Sequence, residues 1–430
     1  MNRRDFIQNS ATSALALTMA SGGTKSFADE PGQDGPIGPP VNCAVIGLGA
    51  QGQAILESLA KWGPKKTPIV MICDTFGGAS FLKKSTSLAP SATLVNDYKK
   101  VLDNTSVQAV FIATPTHKHK QIALDALAAG KHVYLEAPFS NNLEEARVIA
   151  KAGLEAKSFL QAGLQVRNNA QAIHVLKFFR SEDAGKLTGG RGQFHKRTSW
   201  RRQWPDDNRA QELNWHLNKD TSLGLVGEVG IHSIDTATWI YKAMPIAVSG
   251  KGSIQERKDG RTVDDTIQCL IEYPNGVNYL YESSLNTSYE GVYEMFYGTS
   301  ASIQLRDQYA WMFKESDAST LGWEGYARQD TFSIGIPENG TGVKLGSGIA
   351  LVADASKQLA LGKEPGKAGT DVTKSALYQA IGAFIVSIQT NKKPEVGPRE
   401  GFMATLVAIK SNEAINTHSR IELKPEWFVI

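Results

Sequence analysis

One stretch, "NCAVIGLGAQGQAILESLAKW" at residues 42–62, restricts the fold more than any other part of the chain. A short apolar run ends in Gly47, and Gly49 and Gly52 complete a G-x-G-x-x-G spacing before a helical pattern begins. A plain glycine-rich turn would match the spacing alone. A strand before it and a helix after it are the context that dinucleotide binding requires. Gly47 permits a tight turn, Gly49 lets the backbone approach a pyrophosphate, and Gly52 lets helix and strand pack closely. Leu48, Ala50 and Gln51 complete the loop, whose helix N-terminus offers free N–H groups to phosphate. Asp74 closes the next strand, where a carboxylate accepts hydrogen bonds from an adenosine ribose diol and repels a 2′-phosphate. NAD is therefore expected rather than NADP. The plainer role for Asp74 is a strand-end turn former or helix cap.

The pattern continues as alternating strands and helices. "TPIVMICD", "VQAVFIATP" and "KHVYLEAP" read as strands, and "HKQIALDALAAG" and "LEEARVIAKAGLEAK" as helices. Near-continuous apolar strands between helices predict a doubly wound parallel sheet, the Rossmann arrangement, over residues 41–166. From residue 167 to 430 the texture changes to one helix and then alternating strands, with "YPNG" as a hairpin turn. This half predicts an α/β domain built on a largely antiparallel sheet with helices packed on one face. Segment 310–370 is aromatic and Gly-rich and yields no firm reading.

The chain begins "MNRRDFIQNSATSALALTMASGGTKSFA". Arg3-Arg4, a moderately apolar stretch and small residues before Ala28 predict a twin-arginine signal over residues 1–28, and hence an exported, periplasmic location. Residues 29–40, "DEPGQDGPIGPP", read as a Pro/Gly-rich arm. Lys and Arg total 46 and Asp and Glu 43, of which the leader holds three and one. A mature chain so near neutrality gives no case for nucleic acid or anionic membrane as partner. Cys43, Cys73 and Cys269 each lie in strand-like runs without a partner at ligand spacing. They read as small buried hydrophobes, and no metal site is expected.

"ATPTHKHKQIALDALAAGKHVYLEAP" and "GLVGEVGIHSIDTATWIYKAMP" together resemble two blocks of the Gfo/Idh/MocA oxidoreductases. The resemblance implies a Rossmann domain followed by an open-sheet domain whose faces pair into homo-oligomers, dimers or tetramers. It implies cofactor contacts from Thr114, Pro115, His119, Glu136, Ala137 and Gln165, and a carbohydrate or cyclitol substrate at the mouth between domains. Two departures stand out. The family's Glu-Lys-Pro carries its lysine beside the reacting hydroxyl, where this chain has Ala137. Glu228 stands where aspartate is commoner in the acid-x-x-x-His pair.

His232 is the first candidate for the missing base. Four residues after Glu228, it would share a helix face with that carboxylate, which would orient the imidazole. Asp235 could touch the same face and meet substrate, or anchor the helix to a loop. On the strand "QFHKRTSW", His195 and Lys196 point to opposite sides, so either could meet substrate; a solvated basic strand is the plain alternative. Trp200 and Trp204 suggest a sugar platform or ordinary packing. Arg167 matches a family position near cofactor and substrate; its plain alternative is an interdomain ion pair.

Export adds a constraint. With a Kd of about 1 nM and association near ~10⁶ M⁻¹s⁻¹, NAD would leave within roughly twenty minutes. An exported enzyme therefore needs tighter or occluded binding, with the arm as one device for trapping it. A retained cofactor must be restored in place. That leaves an oxidoreductase coupling two carbonyl/alcohol pairs, or a redox-neutral glycosidase working by oxidation, elimination and reduction, which Ala137 makes more plausible. A non-catalytic sugar- or NAD-binding protein is the remaining reading.

Overall fold

The structure, a computed structural model, describes residues 38–75, 79–203, 207–333, 344–353 and 374–430. The signal segment, residues 29–37 of the arm, Trp204 and much of segment 310–370 lie outside the described residues.

Strands β1 (Cys43–Ile46), β2 (Ile69–Cys73), β3 (Thr93–Val95), β4 (Ala109–Ile112), β5 (His132–Leu135) and β6 (Leu160–Ala162) form a parallel sheet in the order β3-β2-β1-β4-β5-β6. Helices α1 (Ala50–Trp62), α2 (Ala79–Leu88), α3 (Tyr98–Asp103), α4 (His119–Ala128) and α5 (Leu143–Glu155) connect the strands. Every residue of β1 and β4 is buried, as uninterrupted apolar runs between two helical layers must be. Strand order reverses between β1 and β4, which opens a crevice at their carboxyl ends.

The second half contributes α6 (Ala170–Arg180), β7 (Leu187–His195), α7 (Asp207–Leu213), α8 (Gly224–Glu228), α9 (Gly230–Tyr241), β8 (Ala247–Ser253), β9 (Thr266–Glu272) and β10 (Asn278–Ser284). It continues through β11 (Val292–Gly298), β12 (Ala301–Arg306), β13 (Tyr309–Lys314), β14 (Gln329–Ser333) and β15 (Lys344–Ala350). Helices α10 (Ala376–Thr390) and α11 (Pro398–Thr417) and strand β16 (Ile421–Glu422) follow. The sheet order is β14-β15-β13-β12-β11-β7-β10-β9-β8-β16, with β7–β10 its one parallel pair. The "YPNG" turn joins β9 to β10 with Asn275 and Gly276 both left-handed (φ 63° and 77°), as a tight primed turn requires.

One face of this sheet packs on α9. Gly190 and Gly192 of β7 face that helix, where a Cβ would meet Tyr241 Oη at 2.5 Å and Ser233 Oγ at 2.1 Å. Strand parity then turns Arg191, Gln193 and His195 to the opposite, open face. Helix α10, late in the chain, packs on the first sheet instead. Tyr378 stacks on Trp62 of α1 at 5.0 Å, and Phe384 meets Phe111 of β4 edge-on at 5.6 Å. The end of the arm docks there too, Pro39 O accepting from Gln389 Nε2 at 2.9 Å.

Candidate active site

The glycine loop is shaped by close approach. Gly47 has φ 92°, and a Cβ on it would lie 2.6 Å from Ala113 O. A Cβ on Gly52 would lie 1.9 Å from Gly47 O, so only glycine lets α1 start this near β1. Asp74 at the end of β2 points into the loop, its Oδ2 accepting from Leu48 N at 2.7 Å. Gly49 caps α1 without a side-chain hydrogen bond, and no acidic residue occupies the first turn, so the N-terminus stays open to an anion. Across the crevice, after β4, the buried Thr114 Oγ1 has no hydrogen-bond partner among the described residues. A glycine cradle, a carboxylate at the strand end and an orphaned hydroxyl together fit a dinucleotide.

Glu136, after β5, is 7% exposed and accepts from Gln51 Nε2 at 2.9 Å. Burial pushes its carboxyl up to about 7, against hydrogen bonds from Gln51, the Ala137 backbone and Gln165. Gly163 leaves room for it, since a Cβ there would lie 2.6 Å from Glu136 Oε2. Glu136 thus joins the glycine-loop helix to the turn bearing Gln165. Ala137 is half-buried and packs against the main core.

His119 is a correction. The ring is 1% exposed, with Nδ1 3.0 Å from Pro138 O and Nε2 2.9 Å from Thr114 O. The neutral ring donates its single N–H to one of these carbonyls and packs its other nitrogen beside the second, so His119 sits between the loops after β4 and β5 with both nitrogens facing protein. Burial drives its pKa down to about 4.

Glu228 and His232 also depart from expectation. Val229, at φ −127° and ψ −37°, interrupts the helix between α8 and α9, so i,i+4 spacing no longer aligns the two side chains. Glu228 instead accepts from Thr116 Oγ1 at 3.1 Å, Ser222 Oγ at 3.1 Å and Leu223 N at 3.2 Å. It ties the loop after β4 to the second domain. Burial raises it to about 7, opposed by those three bonds. The half-buried His232 ring has no hydrogen-bond or ion-pair partner among the described residues, and desolvation lowers its pKa to about 4. It is a neutral imidazole at pH 7, with both nitrogens uncommitted.

Arg167 and Asp235 find each other. Arg167 Nε and Nη2 each lie 2.8 Å from an Asp235 oxygen, a bidentate pair with the carboxylate only 4% exposed. Neither is then a free substrate ligand; the pair fixes α9 against the turn after β6.

His195 faces the open side of the second sheet, its Nδ1 3.1 Å from Tyr289 O and Nε2 3.9 Å from Glu282 Oε1. The facing of Gly190 and Gly192 sets that parity, so His195 points away from α9 and His232. Lys196 is exposed just beyond β7. Trp200 is half-buried and packs against the core, its carbonyl 2.7 Å from His216 Nε2. Thr116 and Ser222, which hold Glu228, carried no signal of their own in the sequence.

Residues 41–164 match the Gfo/Idh/MocA oxidoreductase family with its NAD-binding Rossmann fold, and residues 181–304 match the Gfo/Idh/MocA C-terminal domain. The chain belongs to the Gfo/Idh/MocA family. Levoglucosan dehydrogenase of Pseudarthrobacter phenanthrenivorans is 24% identical over 53% of this chain and 64% of its own length. The NAD(+)-dependent scyllo-inositol 2-dehydrogenase of Bacillus subtilis is 25% identical over 58% of this chain and 68% of its own. A levoglucosan dehydrogenase structure with NADH and L-sorbose superposes with TM-score 0.69 at 19% identity, covering 90% of this chain and 99% of the other. The first three curated relatives are matched over 57–64% of their length. As a Gfo/Idh/MocA chain, its first domain is an NAD-binding Rossmann domain.

Proposed function

We propose that this chain is an exported NAD-dependent oxidoreductase that oxidises a sugar or cyclitol hydroxyl and retains its cofactor between turnovers. The observation that carries the reading is the uncommitted, neutral imidazole of His232. Its helix is held to the turn after β6 by the Arg167–Asp235 pair, and the preceding α8 is held to the loop after β4 by Glu228 on Thr116. Bound NAD supplies the hydride acceptor. His232 receives the proton of the reacting hydroxyl as the hydride leaves its carbon. No carboxylate among the described residues pairs with the imidazolium so formed, so the proton is returned readily to a second carbonyl compound that takes the hydride back. Glu136 and Gln51 brace the glycine loop, and Thr114 donates its free hydroxyl toward the cofactor.

The relatives named for levoglucosan and inositol dehydrogenases support the substrate class. Arg3-Arg4 and the small residues before Ala28 support export, and export supports retention. Ala137 favours a second reading, a redox-neutral glycosidase in which the transient ketone permits elimination of the glycosidic bond. The exposed Leu280, Tyr297 and Tyr309 on the open sheet face support a homo-oligomer.

Mass spectrometry of freshly purified, denatured protein tests retention: stoichiometric NAD is expected, and an empty protein that takes up no NAD would reject it. A screen of sugars, cyclitols and aryl glycosides on the loaded protein tests the chemistry. Aglycone release without net change at 340 nm would select the glycosidase.

A further inference from the structure

The chain beyond β7 returns to the glycine loop. Arg202 Nη1 lies 3.7 Å from the position a Cβ would take on Gly49, the glycine over which a dinucleotide diphosphate passes. The backbone of Arg202 is fixed on both sides by one buried side chain. Asn214 Oδ1 accepts from Arg202 N at 2.7 Å, and Asn214 Nδ2 donates to Arg202 O at 2.9 Å and to Ala210 O at 2.9 Å. A second tether follows seven residues on, where Arg209 Nη2 donates to Thr75 O at 3.0 Å, beside Asp74. The guanidinium of Arg202 itself makes no hydrogen bond or ion pair with the described residues. Burial pulls its pKa down, and the charge of Asp74 pulls it back up. A half-buried, unpaired guanidinium, rigidly mounted, is costly unless an anion completes it.

We propose that Arg202 is a cofactor-binding residue: it grips the diphosphate of NAD beside Gly49, at the α1 N-terminus, and so makes the second domain part of the cofactor's enclosure. This rests on the NAD-retaining reading above and supplies its physical means. Two features of a guanidinium suit the task. Its planar fork can hold two phosphate oxygens at once, and it stays charged at any pH the protein meets. With Asn214 anchoring its backbone, Arg202 adds a contact to the diphosphate that must break before NAD leaves, which slows release.

Exchange of bound NAD for isotopically labelled NAD, read by mass spectrometry of the denatured protein, tests the assignment. Arg202→Ala should release NAD at least about tenfold faster, as expected for loss of a charge-assisted hydrogen bond. Arg202→Lys, which keeps the charge but not the fork, should fall between. Arg201→Ala is the control, because Arg201 is exposed and donates to Asp259 O at 2.6 Å. An Arg202→Ala protein that exchanges at the wild-type rate overturns the assignment, as does equal acceleration by Arg201→Ala. A wild type that neither carries nor takes up NAD overturns the functional reading as well, so the two failures are distinct.

Discussion

Arg167 holds Asp235 through two parallel 2.8 Å hydrogen bonds, three residues beyond His232 on the same helix. The carboxylate is almost wholly buried, so removing the guanidinium strands a charge in the interior. Arg167→Ala should therefore destabilise the protein by about 3–5 kcal/mol in urea unfolding. Replacing both partners by apolar residues of similar volume should recover most of that loss. A single variant within 1 kcal/mol of wild type, on the order of measurement scatter, would show the pair to be dispensable.

His232→Ala should reduce turnover about 10²- to 10⁴-fold while NAD content stays at the wild-type level. The sign of the pH effect follows from the pKa of about 4. Only the neutral ring accepts a proton, so wild-type kcat/KM should fall below about pH 4 and not near 6.5. Unimpaired turnover in the variant would transfer the role to another residue.

Stability should carry two opposed pH slopes. Glu136 and Glu228 sit at about 7, above their ordinary 4.5, so between those values the native state holds protons that the unfolded chain has released. Their contribution falls as pH rises through that window. His119 and His232, lowered from 6.5 to about 4, act in reverse: the unfolded chain holds the protons, and stability rises with pH from 4 to 6.5. Glu136→Gln removes one falling component. Its stability relative to wild type should grow by on the order of 2 kcal/mol between pH 4.5 and 7 in denaturant titrations. A constant offset across that range would contradict this.

The open sheet face should mediate self-association. Leu280, Tyr297 and Tyr309 are 39%, 37% and 47% exposed there. Leu280→Arg with Tyr297→Arg should shift light-scattering mass from an oligomer to a monomer and leave NAD content unchanged. A wild type that is monomeric at micromolar concentration would sink the idea.

Much of the first domain was legible because its determinants are local. Gly47, Gly52 and Asp74 act within one strand–helix–strand unit, and the Asn275–Gly276 turn is set by its own two residues. The site was less legible where a single backbone irregularity decides orientation. Val229 breaks the helix between Glu228 and His232, and nothing in their i,i+4 spacing announces it. His195 was ambiguous because the face it takes is set by what Gly190 and Gly192 must accommodate, namely Tyr241 and Ser233 far along the chain. Asp235 and Arg167 each looked like a substrate ligand because charge alone does not say whether the partner is protein or ligand. Arg202 reaches Gly49 across more than 150 residues of sequence, which no local pattern conveys.

The seat of α10 on the first sheet has a consequence for biogenesis. Leu377, Ile381 and Phe384 belong to the same apolar cluster as Val45, Leu56 and Phe111. A nascent polypeptide emerging from the ribosome therefore leaves that side of the nucleotide-binding layer bare until α10 has been made, more than 300 residues after β1. NAD would then be captured as a late event, once that helix has covered the sheet.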